Sequence, residues 1–263
     1  MTPSIHRSAA ARRAAAALAG VTAVAAVGLS AIPSGAAVVE NRTFRVSDPA
    51  GGVADGASAN PAISSTGRLV AFDSSATNIA PDENGSVHDV FTVDRLTGER
   101  LLVSRAPGGE PANGPSVDPA LAGPRRRVVF TSLASNLVAG DTNNAADIFA
   151  RDGAGHIFRI SVAHDGQEAN GHSFQPDISA DGRFVVFTSQ ATNLVANDTN
   201  GAEDVFIRDL VAGTTRRVSL HGRRGQTDGR SGTPAISPDG RFVSFESEAN
   251  DLDGRDQNNV LRG

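Results

Sequence analysis

The sequence predicts an all-β protein: a β-propeller of about four four-stranded repeat units, the last incomplete, in an open or truncated ring. Three observations carry that prediction. Landmarks recur in register, with Pro61, Pro119, Pro176 and Pro234 spaced 58, 57 and 58 apart and Phe72, Phe130, Phe187 and Phe245 repeating those spacings. Each unit holds four short β-prone runs divided by turn residues, and nothing beyond the first segment shows sustained helical periodicity. The second run of a unit is apolar on both faces, Val185 and Phe187 pointing one way and Phe184 and Val186 the other. A sheet with one wet face alternates instead. Two buried faces suit a blade held between neighbouring blades, where burial of each such Phe stabilises by ~1.5–3 kcal/mol. A β-sandwich is the competing architecture, but it does not require four-strand units in register.

The elements follow in order along the chain. Residues 1–37 read as an export signal: Arg7, Arg12 and Arg13 precede an Ala-rich apolar run, Ala14 to Ile32, and Pro33-Ser34-Gly35-Ala36-Ala37 supplies small residues for cleavage. The Arg12-Arg13 pair points weakly to twin-arginine export. An uncleaved anchor is the competing reading, since the run approaches the ~20 residues that span a bilayer. Removing three arginines from a net charge of −5 leaves a mature charge of −8 and no further apolar span, so the mature protein is expected outside the cytoplasm.

Residues 38–263 hold the repeats. Thr43 to Ser47 matches the fourth strand of a unit, and units follow at about 61–104, 119–161, 176–219 and 234–263. In each, a run after the proline leads to a tight turn, as in Ser179-Ala180-Asp181-Gly182 and Ser237-Pro238-Asp239-Gly240. Asp-Gly there signals a hairpin because Gly accepts positive φ. The second run is Arg183 to Phe187 or Arg241 to Phe245. The third is Asp89 to Asp94, Asp147 to Asp152 or Asp204 to Asp209, and the fourth resembles Arg216-Arg217-Val218-Ser219. Gly263 aligns with Val205, so the last unit shows two strands. A small imperfect ring with Thr43 to Ser47 joining the final blade, an open arc completed by another copy, and a shortened relative of a longer protein all fit that count.

The phrases Pro-Ala-Ile-Ser-Pro-Asp-Gly-Arg-Phe-Val at 234–243 and Asp-Val-Phe-Ile-Arg-Asp at 204–209 resemble the TolB-like β-propeller repeat family, as does Arg217-Val218-Ser219. The resemblance covers nearly all of the expected mature chain. The second unit departs from it, with Gly123-Pro124-Arg125 where Asp-Gly is expected. The resemblance implies an exported bacterial propeller used as an interaction module, without fixing one activity.

Composition excludes several function classes. There is no Cys, Trp or Tyr, the single Met is Met1, and every basic side chain is Arg. Thiolate and Lys-dependent chemistry are therefore excluded, aromatic stacking platforms are hard to build on 12 Phe alone, and the acidic balance argues against nucleic acid. No Gly-x-Ser-x-Gly, phosphate-cradling or His-Glu-x-x-His motif occurs, so no catalytic residue is assigned. Ser173 beside His172 recurs as Ser58, Ser116 and Ser231 without the histidine, which fits a backbone-bonding serine at the start of a strand. His88, His156, His164 and His221 occupy unrelated repeat positions. The Arg runs 125–127 and 223–224 read as solvated charge.

Connections after the second and fourth strands are long and fall on one rim, the expected binding face. That rim carries Asp141-x-Asn143-x-x-x-Asp147 and Asp198-x-Asn200-x-x-x-Asp204, with looser copies at Asp82, Asn84 and Asp89 and at Asp256 and Asn258. Alternating oxygen ligands in a flexible loop suit calcium. Asp and Asn bonding their own backbone in turns is the simpler explanation. The expected function is a secreted, non-enzymatic binding module for a protein or cell-envelope component. A propeller-type hydrolase or lyase with acidic residues at the central channel is the alternative, and it calls for one blade with unusual polar residues on its inner strand; Asp177 is the exception among Ala62, Ala120 and Ala235. A homo-oligomer completing the ring, or a truncated fragment of a longer propeller, also remains open.

Overall fold

The computed structural model describes residues 25–27, 43–80, 85, 87–123, 127–222 and 225–252. Most of the expected export signal, the turn at 124–126, Arg223 and Arg224, the loop copies at Asp82, Asn84, Asp256 and Asn258, and the C-terminal residues lie outside them. Among the described residues all regular structure is strand, and no helix is long and apolar enough to cross a membrane. A short pair, β1 (Ala25–Val27) and β2 (Thr43–Arg45), comes first. The first blade is β3 (Ser58–Ile63), β4 (Leu69–Ser74), β5 (Asp89–Asp94) and β6 (Arg100–Leu102). The second is β7 (Ser116–Leu121), β8 (Val128–Ser132), β9 (Asp147–Arg151) and β10 (Ile157–Arg159). The third is β11 (Ser173–Ile178), β12 (Phe184–Ser189), β13 (Asp204–Asp209) and β14 (Thr214–Arg217). A hairpin, β15 (Leu220–His221) and β16 (Gly225–Gln226), leads to a two-stranded fourth unit, β17 (Ser231–Ile236) and β18 (Val243–Ser247).

Each blade is an antiparallel meander in sequence order. The first strands β3, β7, β11 and β17 lie against one another in succession, which makes them the inner strands of a radial array. Two rows of backbone bonds tie neighbours together. On the long-loop rim the amides of Ser116, Ser173 and Ser231 donate to the carbonyls of His88, Ala146 and Glu203, each at 2.7 Å. On the short-turn rim Gly123 donates to Ala180 and Ala180 to Pro238.

The inner strands begin three residues ahead of each proline, earlier than the sequence suggested, because the proline sits inside the strand at a bulge. Asn60, Asp118, Gln175 and Thr233, the residues before the prolines, have φ of 47°, 53°, 55° and 54°, and the register shifts there in every blade. A bulge is where a strand tolerates a residue that cannot donate to the ladder.

Packing explains the recurring phenylalanines. Phe72, Phe130 and Phe187 are fully buried and pair across the sheet with Phe91, Phe149 and Phe206, ring centroids 5.9, 6.1 and 5.9 Å apart. The residue after each fourth strand, Val103 or Ile160, buries itself against the following blade's pair. Val46 does the same for Phe72 and Phe91, so the N-terminal strand packs on the first blade, and β2 pairs with β1, instead of joining the last. The recurring glycines have a steric cause. A Cβ on Gly56, Gly114, Gly171 or Gly229 would stand 2.4 to 3.0 Å from backbone atoms of the loop leaving the second strand. The recurring serines pair with each other and do more than bond backbone: the hydroxyls of Ser58 and Ser74, Ser116 and Ser132, Ser173 and Ser189, and Ser231 and Ser247 lie 2.8 to 3.0 Å apart.

Candidate functional site on the long-loop rim

The structure brings Asp141, Asn143 and Asp147 together, and likewise Asp198, Asn200 and Asp204, but each group closes around an arginine. Arg159, at the end of β10, reaches Asp141 at 3.0 Å, Asp147 at 3.5 Å and Glu168 at 2.6 Å. Arg217, its counterpart in β14, reaches Asp198 at 3.0 Å and Asp204 at 3.4 Å, while Gln226 in the place of Glu168 donates to Asp198. The guanidinium stands where a cation would be coordinated. Asn143 turns its oxygen to the amide of Ala145 and its NH2 to Asp147 and the Ala169 carbonyl. Asn200 makes the same set with Ala202, Asp204 and the Thr227 carbonyl. Each asparagine thus offers a donor, not an oxygen, to its aspartate. The strand-opening aspartates also close the blade: Ser161 donates to Asp147 and Ser219 to Asp204, as Ser104 does to Asp89. Burial pushes the carboxyls of Asp141, Asp147, Asp198 and Asp204 up, against the pull of the arginines. Among the described residues no group of three or more His, Asp or Glu is placed to hold a metal ion.

Further in, three positions per blade meet around the bulge: the residue before the proline, the penultimate residue of the second strand, and the residue before the third strand. Their backbone placement repeats, but their chemistry does not. The first blade has Asn60, Asp73 and His88, the second Asp118, Thr131 and Ala146, and the third Gln175, Thr188 and Glu203. In the first blade Asp73 is buried and accepts from Asn60 at 2.8 Å, from the Asp118 amide at 3.3 Å and lies 3.2 Å from His88 Nδ1. That bond raises the pKa of the half-exposed imidazole. Between the third and fourth units a cleft of about 530 Å³ is lined by Phe174, Gln175, Glu203, Arg230, Thr233 and Glu246. Glu203 bridges Arg230 at 2.8 Å and accepts from Gln190 at 2.9 Å, and Gln175 takes the amide of Thr233 at 3.2 Å.

Other residues singled out in the sequence resolve as structure. Asp177 staples two blades, its Oδ2 accepting the Ile236 amide at 2.9 Å. Arg127, expected to be solvated, donates to the Gly182 carbonyl of the next blade and lies over Phe158. His172 Nδ1 accepts the Ala146 amide, and His156 pairs with Asp152. The Asp73–His88 pair escaped sequence reading because its members are fifteen positions apart and neither belongs to a motif. The available signal was the break in the repeat, Asp73 standing where Thr131 and Thr188 recur.

No protein-family profile and no curated protein matches the sequence. Solved structures similar to it include TolB from Acinetobacter baumannii, 16% identical over 82% of this chain and 45% of that one with a TM-score of 0.47. A putative TolB from Agrobacterium tumefaciens is 18% identical over 78% and 61%, TM-score 0.46. Hydrazine synthase from Kuenenia stuttgartiensis is 11% identical over 80% and 31%, TM-score 0.50. The chain therefore spans 45% and 61% of the two TolB chains, and the likeness at these identities is one of fold. On strand order and radial packing, the chain is an all-β protein of propeller type.

Proposed function

We propose that this chain is an exported, non-enzymatic binding module that recognises a protein or cell-envelope component through the inner part of its long-loop rim. The observation that supports this reading is the division of labour among repeat positions. Serine pairs, strand-opening aspartates, close-approach glycines and core phenylalanines recur because the fold needs them in each blade. The triplets at 60, 73, 88 and 118, 131, 146 and 175, 188, 203 share one backbone setting yet differ in charge and hydrogen bonding. Rigid scaffolds carry recognition on such variable rim positions. We read the acidic loops below them as braced by Arg159 and Arg217, with no need for calcium.

The test is cosedimentation with isolated cell envelopes, comparing the wild type with a His88→Ala, Glu203→Gln, Arg230→Ala triple variant and an outer-face Val211→Ser control. Loss in the triple variant alone supports the reading, and equal sedimentation of all three rejects it. One observation favours the enzymatic alternative: a buried carboxylate orienting a half-exposed imidazole is the arrangement general bases use. Activity on acidic or neutral polysaccharides that disappears in His88→Gln would establish that alternative.

A further inference from the structure

The junction between the first and second blades, both complete, carries a charged set that the next junction lacks. Asp73 is 1% exposed; its Oδ1 accepts from Asn60 Nδ2 at 2.8 Å and from the Asp118 amide at 3.3 Å, while its Oδ2 lies 3.2 Å from His88 Nδ1. A carboxylate offers acceptors only, so the ring nitrogen that faces it carries a proton whether the imidazole is neutral or charged. In the neutral ring the lone pair is therefore on Nε2, on the side turned away from Asp73, and the side chain is 41% exposed. Asn60, having given its NH2 to Asp73, turns its oxygen the other way. Both groups meet a ligand as acceptors. The ring is held in place from behind, since the His88 carbonyl accepts the Ser116 amide at 2.7 Å. The charged groups packed around it are carboxylates: Asp73 on β4, Asp89 on β5 and Asp118 on β7. In the second and third blades Thr131 with Ala146 and Thr188 with Glu203 replace the Asp73–His88 pair.

We propose that His88 Nε2 and Asn60 Oδ1 receive a lysine or arginine side chain of a partner protein, and that protonation of His88 releases it. This rests on the reading of the inner rim as the binding face and names the chemistry that the rim meets. A cationic donor answers lone pairs set beside carboxylates, and a net charge of −5 steers a basic partner toward the chain. Once protonated, Nε2 is a donor and a like charge where an acceptor stood, so the contact turns from attraction to repulsion. The hydrogen bond to Asp73 raises the imidazole pKa above the ordinary 6.5, so most unliganded rings are already charged at that pH.

The experiment titrates the full chain into a fluorescein-labelled tetralysine peptide at pH 8.5 and 5.5 and follows anisotropy, with tetraglutamate as the charge control. Saturable tetralysine binding is expected at pH 8.5, weakened at least about tenfold at pH 5.5, where roughly ten in eleven or more of the His88 rings are protonated. By linkage the peptide must lower the His88 pKa, read by NMR of isotope-labelled histidine, with the signal assigned by its loss in His88→Gln. His88→Gln replaces a half-exposed side chain, keeps an acceptor and should bind tetralysine alike at both pH values. Equal wild-type affinity at the two pH values, an unmoved or raised His88 pKa, tetraglutamate binding in its place, or no saturation at millimolar tetralysine overturns the proposal. The envelope assay repeated at both pH values separates this contact from the rim itself. Sedimentation that the triple variant loses but that is equal at both pH values keeps the rim and overturns the basic contact, whereas sedimentation indifferent to the triple variant rejects both.

Discussion

Replacing Arg159 by Leu separates guanidinium bracing from calcium bracing of the rim loops. Leucine already occupies the matching position of the first blade, Leu102, so the strand accommodates its shape. The arginine side chain is 8% exposed, and the carboxylates it faces at Asp141 and Asp147 are 5% and 0% exposed. Removing one member of a buried pair leaves the other charges uncompensated, at a cost of ~3–5 kcal/mol. For a chain of this size each kcal/mol lowers the midpoint by roughly 2–4 °C, so the expected fall is ~6–20 °C. Arg217→Leu should cost less, because Arg217 faces two carboxylates where Arg159 faces three. The assay is thermal unfolding by circular dichroism, with chelator and with millimolar calcium. The wild-type midpoint should be the same in both. Arg159→Leu should melt lower and recover part of the loss in calcium, since a cation binding only the folded state must stabilise it. A wild type that melts lower with chelator, beside an Arg159→Leu variant of undiminished stability, would refute the bracing argument.

Other perturbations follow from the same packing. Gly56→Ala places a Cβ 2.4 Å from the Ala76 nitrogen, whereas Gly114→Ala places one 3.0 Å from Leu133 backbone atoms. The first should cost ~1–3 kcal/mol and the second less, read by urea unfolding. Phe187→Ala, at a fully buried paired ring, should cost ~3–5 kcal/mol, and Phe245→Ala under ~2 kcal/mol; equal losses would contradict the assigned core. The hydrogen bond from Arg68 holds the Asp94 carboxyl at about 2, below the ordinary 3.8. Its contribution is therefore whole above about pH 4 and fades as pH falls toward about 2, a slope that Asp94→Asn removes from acid unfolding curves. His88 has the opposite sign: Asp73 raises its pKa, so stability is whole below the ordinary 6.5 and declines as pH rises through the folded value. His88→Gln should flatten that decline.

The period, the two-faced second strand and the Asp-Gly turns were legible because each is a local pattern with one physical cause. Ser179 Oγ donating to Asp181 Oδ1 at 2.6 Å beside Gly182 at φ 73° is the turn the residues spell out. The strand limits were less legible. Pro176 reads as a start because proline breaks ladders, and only the bulge at Gln175 lets it sit inside β11. The acidic loops were legible but the guanidinium they pair with was not, since Arg159 lies eighteen residues after Asp141, on the fourth strand, and Leu102 interrupts its recurrence. Periodic landmarks expose what every blade needs, and pairings formed across a sheet leave no trace in a linear pattern.

The same logic supports the proposal that the inner rim, rather than the outer loops, carries recognition. The outer loops are fixed by exchange bonds that repeat: the Asn113 amide with Asn136 and the Ser135 amide with Asn113, then the Asn170 amide with Asn193 and the Thr192 amide with Asn170. Side chains committed to such clamps have little freedom to meet a ligand. The bulge residues share one backbone form instead, a positive φ at the register shift just before the proline, although their side chains differ. Asn60, Asp118, Gln175 and Thr233 differ from unit to unit while the bulge keeps the same backbone form. A surface whose shape is set by the main chain, with its chemistry left to side chains, can acquire new specificity at little cost in stability.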